Sequence, residues 1–505
     1  MFDQFMLDNG VTIIGERIPH FRSVSIGLWV ASGSQYEQPA ENGVSHFIEH
    51  MLFKGTQRRS ARDIAEEMDA VGGALNAFTS KECTCFYAKT VDQDLPLAMD
   101  ILADIFLHSR LDEADIEREK GVVLEEIAMA EDTPEDAVHE LIMLAQYGDQ
   151  PLARPILGSE ETVRAFTRDS ILRYYHRLYR PKGTVLALAG NYDWEQVKAL
   201  AAGHLGGFQA VGEGRGDFAT HSVAPTALFR EKDTEQLHLC LGYPMASMGS
   251  DELYPTAIFN SVLGGAMSSH LFQSIREERG LAYSVYSYPN SYTDCGMLTV
   301  YAGTNPESAR EVVRLIREEV RAMAENGLSE QEFRQSLAQL KASYVLGQES
   351  TSNRMNALGR RKLLLGDAQT EDDVLRKIEA VTREETNAIM KRVPFGKLLT
   401  VAQIRDYLAR QNGADFTEPL TAGIFVSIAA WASFQRAQDE TPYWRTLKAG
   451  GELNPKYPGG VAAQREKLEA EGHSIEEKGR TNKRYFVRDY ERALLPLDGN
   501  EPLRF

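Results

Sequence analysis

The 505-residue sequence contains only four cysteines, Cys83, Cys85, Cys240 and Cys295. So few thiols in so long a chain exclude a disulfide framework. Cys83 and Cys85 are separated by one residue, which is too close for a usual zinc knuckle. We therefore expect them as small buried residues on alternating sides of one strand.

Long apolar runs and targeting signals are also missing. The N-terminus has neither the basic region nor the apolar region of a signal peptide. The longest apolar run, residues 420–434, is interrupted by polar residues and is shorter than the ~20 residues that a membrane span needs. We therefore expect no membrane association and a cytoplasmic location.

The composition is otherwise that of a globular protein, with 43% apolar and 25% charged residues, which excludes a fibrous or disordered chain. The net charge of −18 argues against a chain that is basic throughout and coats nucleic acid. This charge is uneven, because residues 1–390 sum to −21 and residues 391–505 to +3. The last segment is electrostatically different from the rest.

Apolar periodicity predicts alternating strands and helices in the first part of the chain. Strands are expected at 11–16, 24–32, 76–90 and 184–189, and helices at 45–53, 61–71, 95–108 and 113–129. A glycine-rich segment then resembles a linker, and a similar order of elements restarts, which indicates a duplication. The sequence thus predicts an α+β protein with related domains at 1–210 and 226–390, a linker at 211–225, and a small domain at 391–505.

The strongest functional signal is the pentapeptide His46-Phe47-Ile48-Glu49-His50. On a helix the two histidines are about 40° apart and Glu49 lies about 60° to one side, so all three share one face. Two imidazoles at i and i+4 can bind one Zn²⁺, and a carboxylate beside them can activate a water. The alternative is a helix with two solvated histidines.

A catalytic zinc also needs a third protein ligand. Spacing alone leaves Glu119, Glu125 and Glu126 open. Glu119 and Glu126 are seven residues apart and share a helix face, whereas Glu125 points about 100° away from Glu126.

The pentapeptide and the residues 51–56 that follow it (Met-Leu-Phe-Lys-Gly-Thr) resemble the M16 family of zinc peptidases, the pitrilysin, insulin-degrading enzyme and mitochondrial processing peptidase group. Further agreement is found at residues 33–37, 76–79, 118–126 and 155–158, so the resemblance covers about residues 1–390. It implies a clamshell of two duplicated domains, a catalytic one at 1–210 and an inactive partner at 226–390. It also implies a chamber that takes unfolded peptides, and a homodimer.

The resemblance assigns roles around the pentapeptide. It implies that His46, His50 and Glu126 bind one Zn²⁺ per chain. It also implies that Glu49 is the general base and that Glu119 is a supporting acid.

The resemblance further implies substrate contacts. Arg276 and Tyr283 would reach the substrate near the zinc, where a cation and a hydroxyl can stabilise an oxyanion. The alternative is a surface ion pair for Arg276 and a core position for Tyr283. His270 stands where family members often have arginine. An edge strand that pairs with the peptide would be formed by Asn76, Ala77, Phe78 and Thr79.

Residues 391–505 do not resemble that family. Predicted helices at 394–408, 421–432 and 462–471 resemble the DNA-binding domain of the O6-alkylguanine-DNA alkyltransferase family, a small helical, winged-helix-like module. That family's acceptor cysteine is replaced here by Tyr443, and no cysteine follows residue 390. Alkyl transfer needs a thiolate, so we expect no repair activity. Weak DNA binding through Tyr443, Trp444 and Arg445 stays open beside an inert or protein-contact role.

The leading prediction is therefore a zinc-dependent endopeptidase. The alternatives are a non-catalytic structural subunit of the same family, and a DNA-binding protein with a regulatory peptidase half. The structural subunit is disfavoured because the three ligands and the base are all present. One junction stays open, since residues 396–402 could be the last strand of the second domain or the start of the tail.

Overall fold

The computed structural model describes residues 2–211, 220 and 226–386, and further on 452–453, 455, 460–470, 474–478 and 484–487. The chain divides into two units, Met1–Val393 and Pro394–Phe505. Among the helices in these ranges, none combines the length and the apolar character that a bilayer crossing requires. Several predicted features lie outside the described residues: the strand 396–402, most of the linker, and Tyr443, Trp444 and Arg445.

Six strands form a mixed sheet in the first half of the larger unit, residues 2–211. They are Asp3–Met6 (β1), Thr12–Arg17 (β2), Ser23–Val30 (β3), Ala74–Thr79 (β4), Thr84–Val91 (β5) and Thr184–Gly190 (β6). Their spatial order is β1-β2-β6-β3-β5-β4. β2 and β6 pair in parallel, and the other neighbours pair antiparallel. β4 therefore lies at an edge of this sheet.

The described part of the first half also contains eight helices, seven of them between these strands and the eighth after β6. They are Val44–Leu52 (α1), Ala61–Ala70 (α2), Leu95–His108 (α3), Glu113–Asp132 (α4), Pro134–Tyr147 (α5), Glu160–Ala165 (α6), Arg168–Leu178 (α7) and Trp194–Leu205 (α8). Alternation along β3 sends Val24, Ile26 and Leu28 into the core that these helices cover.

The second half, residues 226–386, repeats part of this design. Its strands are Leu237–Pro244 (β7), Ala282–Ser291 (β8) and Gly296–Thr304 (β9), in the antiparallel order β7-β9-β8. This order matches β3-β5-β4 of the first sheet, as a duplication predicts. Its helices are Leu253–Leu263 (α9), Ala309–Asn326 (α10), Glu330–Gly347 (α11), Thr351–Leu365 (α12) and Glu371–Ala380 (α13).

Each half contributes one helix that packs on the sheet of the other half. α12 lies on the first sheet, where Trp29 Nε1 donates to Met355 Sδ at 3.4 Å. Gly359 is required there, because a Cβ at this position would overlap the Trp29 ring. In return α5 lies on β7, and His139 Nδ1 is 2.7 Å from Tyr288 OH of β8. The two halves are therefore interlocked.

Two details of the first sheet differ from the sequence prediction. Residues 76–90 form two strands, because a turn at 80–83 reverses the chain and Ser80 N–H donates to Cys83 O at 2.8 Å. This turn contains neither glycine nor proline, so composition did not signal it. Cys83 and Cys85 are buried as expected, but they join one apolar cluster with Trp29 and Met355. The expectation of alternating sides was wrong, since residues two apart in an extended chain point the same way.

The smaller unit has three described elements. They are the helix Gly460–Ala470 (α14) and the antiparallel strands Ile475–Lys478 (β10) and Arg484–Val487 (β11). Leu453 and Leu468 are buried together in this unit. The helix that the sequence predicted at 462–471 is present, and those predicted at 394–408 and 421–432 lie outside the described residues.

Candidate metal centre

The N-terminus of α1 is held by a buried carboxylate. Glu37 accepts hydrogen bonds from Gly43 N–H at 2.7 Å, from Ser45 N–H at 2.8 Å and from Asn42 Nδ2 at 2.9 Å. Gly43 has a φ of 94°, and a Cβ there would meet Leu157 O at 2.6 Å, so this position needs glycine. Burial raises the pKa of Glu37 to about 7, against the effect of these hydrogen bonds. These contacts fix the start of the helix that carries the histidines.

The two histidines of α1 and one carboxylate of α4 converge on a point. His46 Nε2 and His50 Nε2 are 3.2 Å apart. Glu126 Oε2 lies 3.5 Å from His46 Nε2 and 3.6 Å from His50 Nε2. Within the described residues, this is the one group of three His, Cys, Asp or Glu side chains that is close enough to hold a metal ion.

The spacing of these atoms fits zinc. Tetrahedral Zn²⁺ with ligands at about 2.0–2.2 Å places neighbouring ligand atoms about 3.3–3.5 Å apart, close to the separations of 3.2, 3.5 and 3.6 Å. Two imidazoles and a carboxylate are also a donor set of catalytic zinc sites. The residues present therefore suit this metal.

Glu125 does not take part in this convergence. It is exposed on α4, whereas Ile116, Glu119, Val123 and Ile127 of that helix are buried. Spacing alone left three glutamates open as the third ligand, and the packing of α4 against α1 distinguishes them.

The side chain of Glu49 extends from α1 to the edge strand β4. Thr79 Oγ1, at the end of β4, donates to Glu49 Oε2 at 2.6 Å. Burial raises the pKa of Glu49, while the hydrogen bond from Thr79 and the nearby His50 oppose this shift. The carboxylate is therefore positioned by a neutral donor from another element.

Glu119 contacts His50 at Nδ1, the ring nitrogen that does not face His46 and Glu126. Its Oε1 atom lies 2.8 Å from His50 Nδ1, and its Oε2 atom lies 2.6 Å from Lys54 Nζ. Only 5% of the Glu119 side chain is exposed. Lys54 belongs to the motif that follows the pentapeptide, but sequence reasoning gave it no role.

Arg276 and Tyr283 are neighbours in the second half. Arg276 lies on a π-helical turn, Phe272–Glu277, and its guanidinium carbon is 4.7 Å from the Phe272 ring centre and 4.9 Å from that of Tyr283. Tyr283 is 77% exposed, so it does not occupy the core. In the described part of the chain these two side chains contact each other, Phe272 and Glu277, and not His46 or Glu126.

The predicted edge strand is present. Asn76, Ala77, Phe78 and Thr79 all lie in β4, which pairs with β5 on one side. Its other side pairs with no strand among the described residues. An extended peptide could add to this open edge.

His270 bridges two helices of the second half. Its Nδ1 atom is 3.3 Å from Glu319 Oε2 of α10, and its Nε2 atom is 2.7 Å from Glu332 Oε1 of α11. The hydrogen bond to Glu319 and that to Glu332 raise the pKa of His270 to about 8, against partial burial. The two carboxylates therefore favour the protonated form of His270.

Comparison with known proteins gives consistent matches. Residues 12–160 match the family model described as Insulinase (Peptidase family M16), and residues 165–340 match Peptidase M16 inactive domain. The protein named Uncharacterized zinc protease YmxG, from Bacillus subtilis, is 44% identical over 78% of this chain and 96% of its own length. The protein named Uncharacterized zinc protease SCO5738, from Streptomyces coelicolor, is 42% identical over 77% of this chain and 86% of its own length.

Solved structures share the fold. A protease from Helicobacter pylori superimposes with a TM-score of 0.72 at 19% identity, over 78% of this chain and 96% of that one. A peptidase M16 inactive domain from Pseudomonas fluorescens gives the same TM-score and identity, over 78% and 95%.

Proposed function

The chain belongs to peptidase family M16, and we propose that it is a zinc-dependent endopeptidase that hydrolyses unfolded peptides. One observation carries the proposal: the convergence of His46, His50 and Glu126 beside Glu49. We propose residues 1–210 as the catalytic domain, 226–390 as the inactive partner, and 211–225 as the linker. The names of the relatives, which call them zinc proteases, support this assignment.

His46, His50 and Glu126 would hold one Zn²⁺ per chain. A zinc ion there would supply a Lewis acid that polarises the scissile carbonyl and makes a water more acidic. The orientation of His50 depends on Glu119, which accepts from its Nδ1 atom. That hydrogen bond leaves Nε2 of the ring free to face the metal.

Glu49 would serve as the general base. Its carboxylate takes a proton from the attacking water and later passes it to the leaving amine. Thr79 holds one carboxylate oxygen of Glu49 at 2.6 Å, which limits its rotation.

The peptide would bind along the open edge of β4, with main-chain hydrogen bonds to Asn76, Ala77, Phe78 or Thr79. Arg276 and Tyr283 would approach it from the second half, where the exposed hydroxyl and the guanidinium suit an oxyanion. This role stays a prediction, as do the homodimer, the cytoplasmic location and the DNA binding of residues 391–505.

The proposal is tested by cleavage of a quenched fluorescent peptide with and without a chelator. The variants are Glu49→Gln and, as a matched control, Glu66→Gln on α2, which pairs with Arg62 on the surface. We expect Glu49→Gln to lower kcat about 10³-fold with unchanged zinc content, and the control to cleave normally. Unchanged cleavage by Glu49→Gln, or cleavage that resists the chelator, would contradict the mechanism.

A further inference from the structure

Lys54, Glu119 and His50 form a continuous chain of polar contacts behind the candidate metal centre. Lys54 Nζ is 2.6 Å from Glu119 Oε2, and Glu119 Oε1 is 2.8 Å from His50 Nδ1. We propose that Lys54 is a positioning residue of this centre, which acts through Glu119 on the orientation of His50. The inference deepens the proposed function and rests on it.

Glu119 needs a cation because it is nearly inaccessible to solvent. Only 5% of its side chain is exposed, whereas 36% of the Lys54 side chain is. A buried carboxylate is costly unless it is paired and hydrogen-bonded. Lys54 meets this need while its own ammonium group keeps access to water. The pairing also fixes the direction in which the second oxygen of Glu119 points.

The fixed direction of the Glu119 carboxylate in turn orients the His50 ring. A ring N–H donated from Nδ1 to a carboxylate selects the tautomer whose Nε2 lone pair can bind a metal. The other histidine has no such support, since His46 Nδ1 is buried and has no hydrogen-bond partner among the described residues. The orientation of the imidazole pair therefore depends on Glu119, and through it on Lys54.

The local structure explains why Lys54 reaches this position. α1 ends at Leu52, and Lys54 N–H donates to Met51 O at 3.1 Å, which extends the turn beyond the helix. Lys54 thus follows His50 by one helical turn, and both side chains contact the Glu119 carboxylate, one at each oxygen. A cation is also favourable at the C-terminal end of a helix.

The test measures zinc affinity by competition with a chromophoric chelator, so that it does not depend on peptidase activity. The variants are Lys54→Met and Lys54→Arg. The matched control is Lys198→Met on α8, where Lys198 makes an ion pair of the same 2.6 Å length with Glu195 and is 30% exposed. Circular dichroism of the metal-free proteins checks that each variant is folded, and Lys54→Gln replaces Lys54→Met if that variant does not fold.

We expect Lys54→Met to weaken zinc binding about 10-fold, Lys54→Arg to stay within about 3-fold of wild type because it keeps the charge, and Lys198→Met to have no effect. A second arm repeats Lys54→Met in a Glu119→Gln background, where its effect should vanish. Unchanged affinity in Lys54→Met overturns the inference, as does a full 10-fold loss in the Glu119→Gln background. A wild-type chain that binds no zinc overturns the proposed function instead.

Discussion

Thr79 Oγ1 lies 2.6 Å from Glu49 Oε2, so the last residue of the edge strand β4 touches the candidate base on α1. The strand that we propose to bind the peptide and the helix that carries the proposed base are therefore joined by a hydrogen bond. The proposed peptide site on β4 therefore ends at the residue that contacts the proposed base.

Loss of the Thr79 hydroxyl should reduce catalysis more than binding. A hydrogen bond to a charged group contributes about 1.5–3 kcal/mol, so we expect Thr79→Val to lower kcat at least about 10-fold with little change in KM. Thr79→Ser keeps the donor and should stay close to wild type. The measurement is steady-state cleavage of one peptide by zinc-loaded protein. Equal rates for Thr79→Val and wild type would show that the contact does not position Glu49.

The third ligand can be identified by zinc content. Glu126 lies within 3.6 Å of both histidines, and Glu125 is exposed. Glu126→Gln should therefore lose most of its zinc on dialysis, whereas Glu125→Gln should keep it. Atomic emission on the dialysed proteins gives the answer. If Glu125→Gln empties the site and Glu126→Gln does not, the assignment is reversed.

Removal of the carboxylate at the start of α1 should destabilise the fold. Glu37→Ala leaves two buried N–H groups, those of Gly43 and Ser45, without an acceptor. We expect a loss of about 3 kcal/mol in the free energy of unfolding, since each unsatisfied buried donor costs about 1–3 kcal/mol. Urea denaturation measures it. The control is Asp63→Ala, which removes the exposed carboxylate of the capping box that Asp63 forms with Ser60 at the start of α2. It should have a smaller effect, and equal effects would contradict the prediction.

His270 should make stability depend on pH. Its pKa in the folded chain is about 8, above its usual 6.5, because of Glu319 and Glu332. A raised pKa means that the stabilisation is complete below pH 6.5 and is lost as the pH rises through 8. We expect a loss of about 1 kcal/mol between pH 6 and pH 9, an amount reduced by partial solvent exposure.

Two substitutions at this position separate the charge from the ring. His270→Arg keeps a cation at every pH in this range and should remove the pH-dependent component. His270→Gln should have low stability at both pH values. Urea unfolding at pH 6 and pH 9 checks both variants. A wild-type difference that persists unchanged in His270→Arg would mean that another group titrates.

Most elements could be predicted from periodicity. The strands expected at 11–16 and 184–189 and the helices expected at 45–53, 61–71, 95–108 and 113–129 all lie within about three residues of their observed bounds. The exception at 76–90 had a physical cause, since Ser80 closes a turn through its own backbone and hydroxyl rather than through glycine or proline. Local sequence patterns signal a turn only when its chemistry uses the usual residues.

The sequence by itself determined that His46, Glu49 and His50 share a helix face, because 3.6 residues per turn is a local property of the backbone. It did not determine which glutamate meets them. Burial of Ile116, Val123 and Ile127 turns Glu119 and Glu126 inward and leaves Glu125 exposed. Only the packing of α4 against α1 then brings Glu126 to the histidines and Glu119 to Lys54. Contacts across 65 or more residues depend on how faces meet, and a spacing rule within one helix contains no information about that.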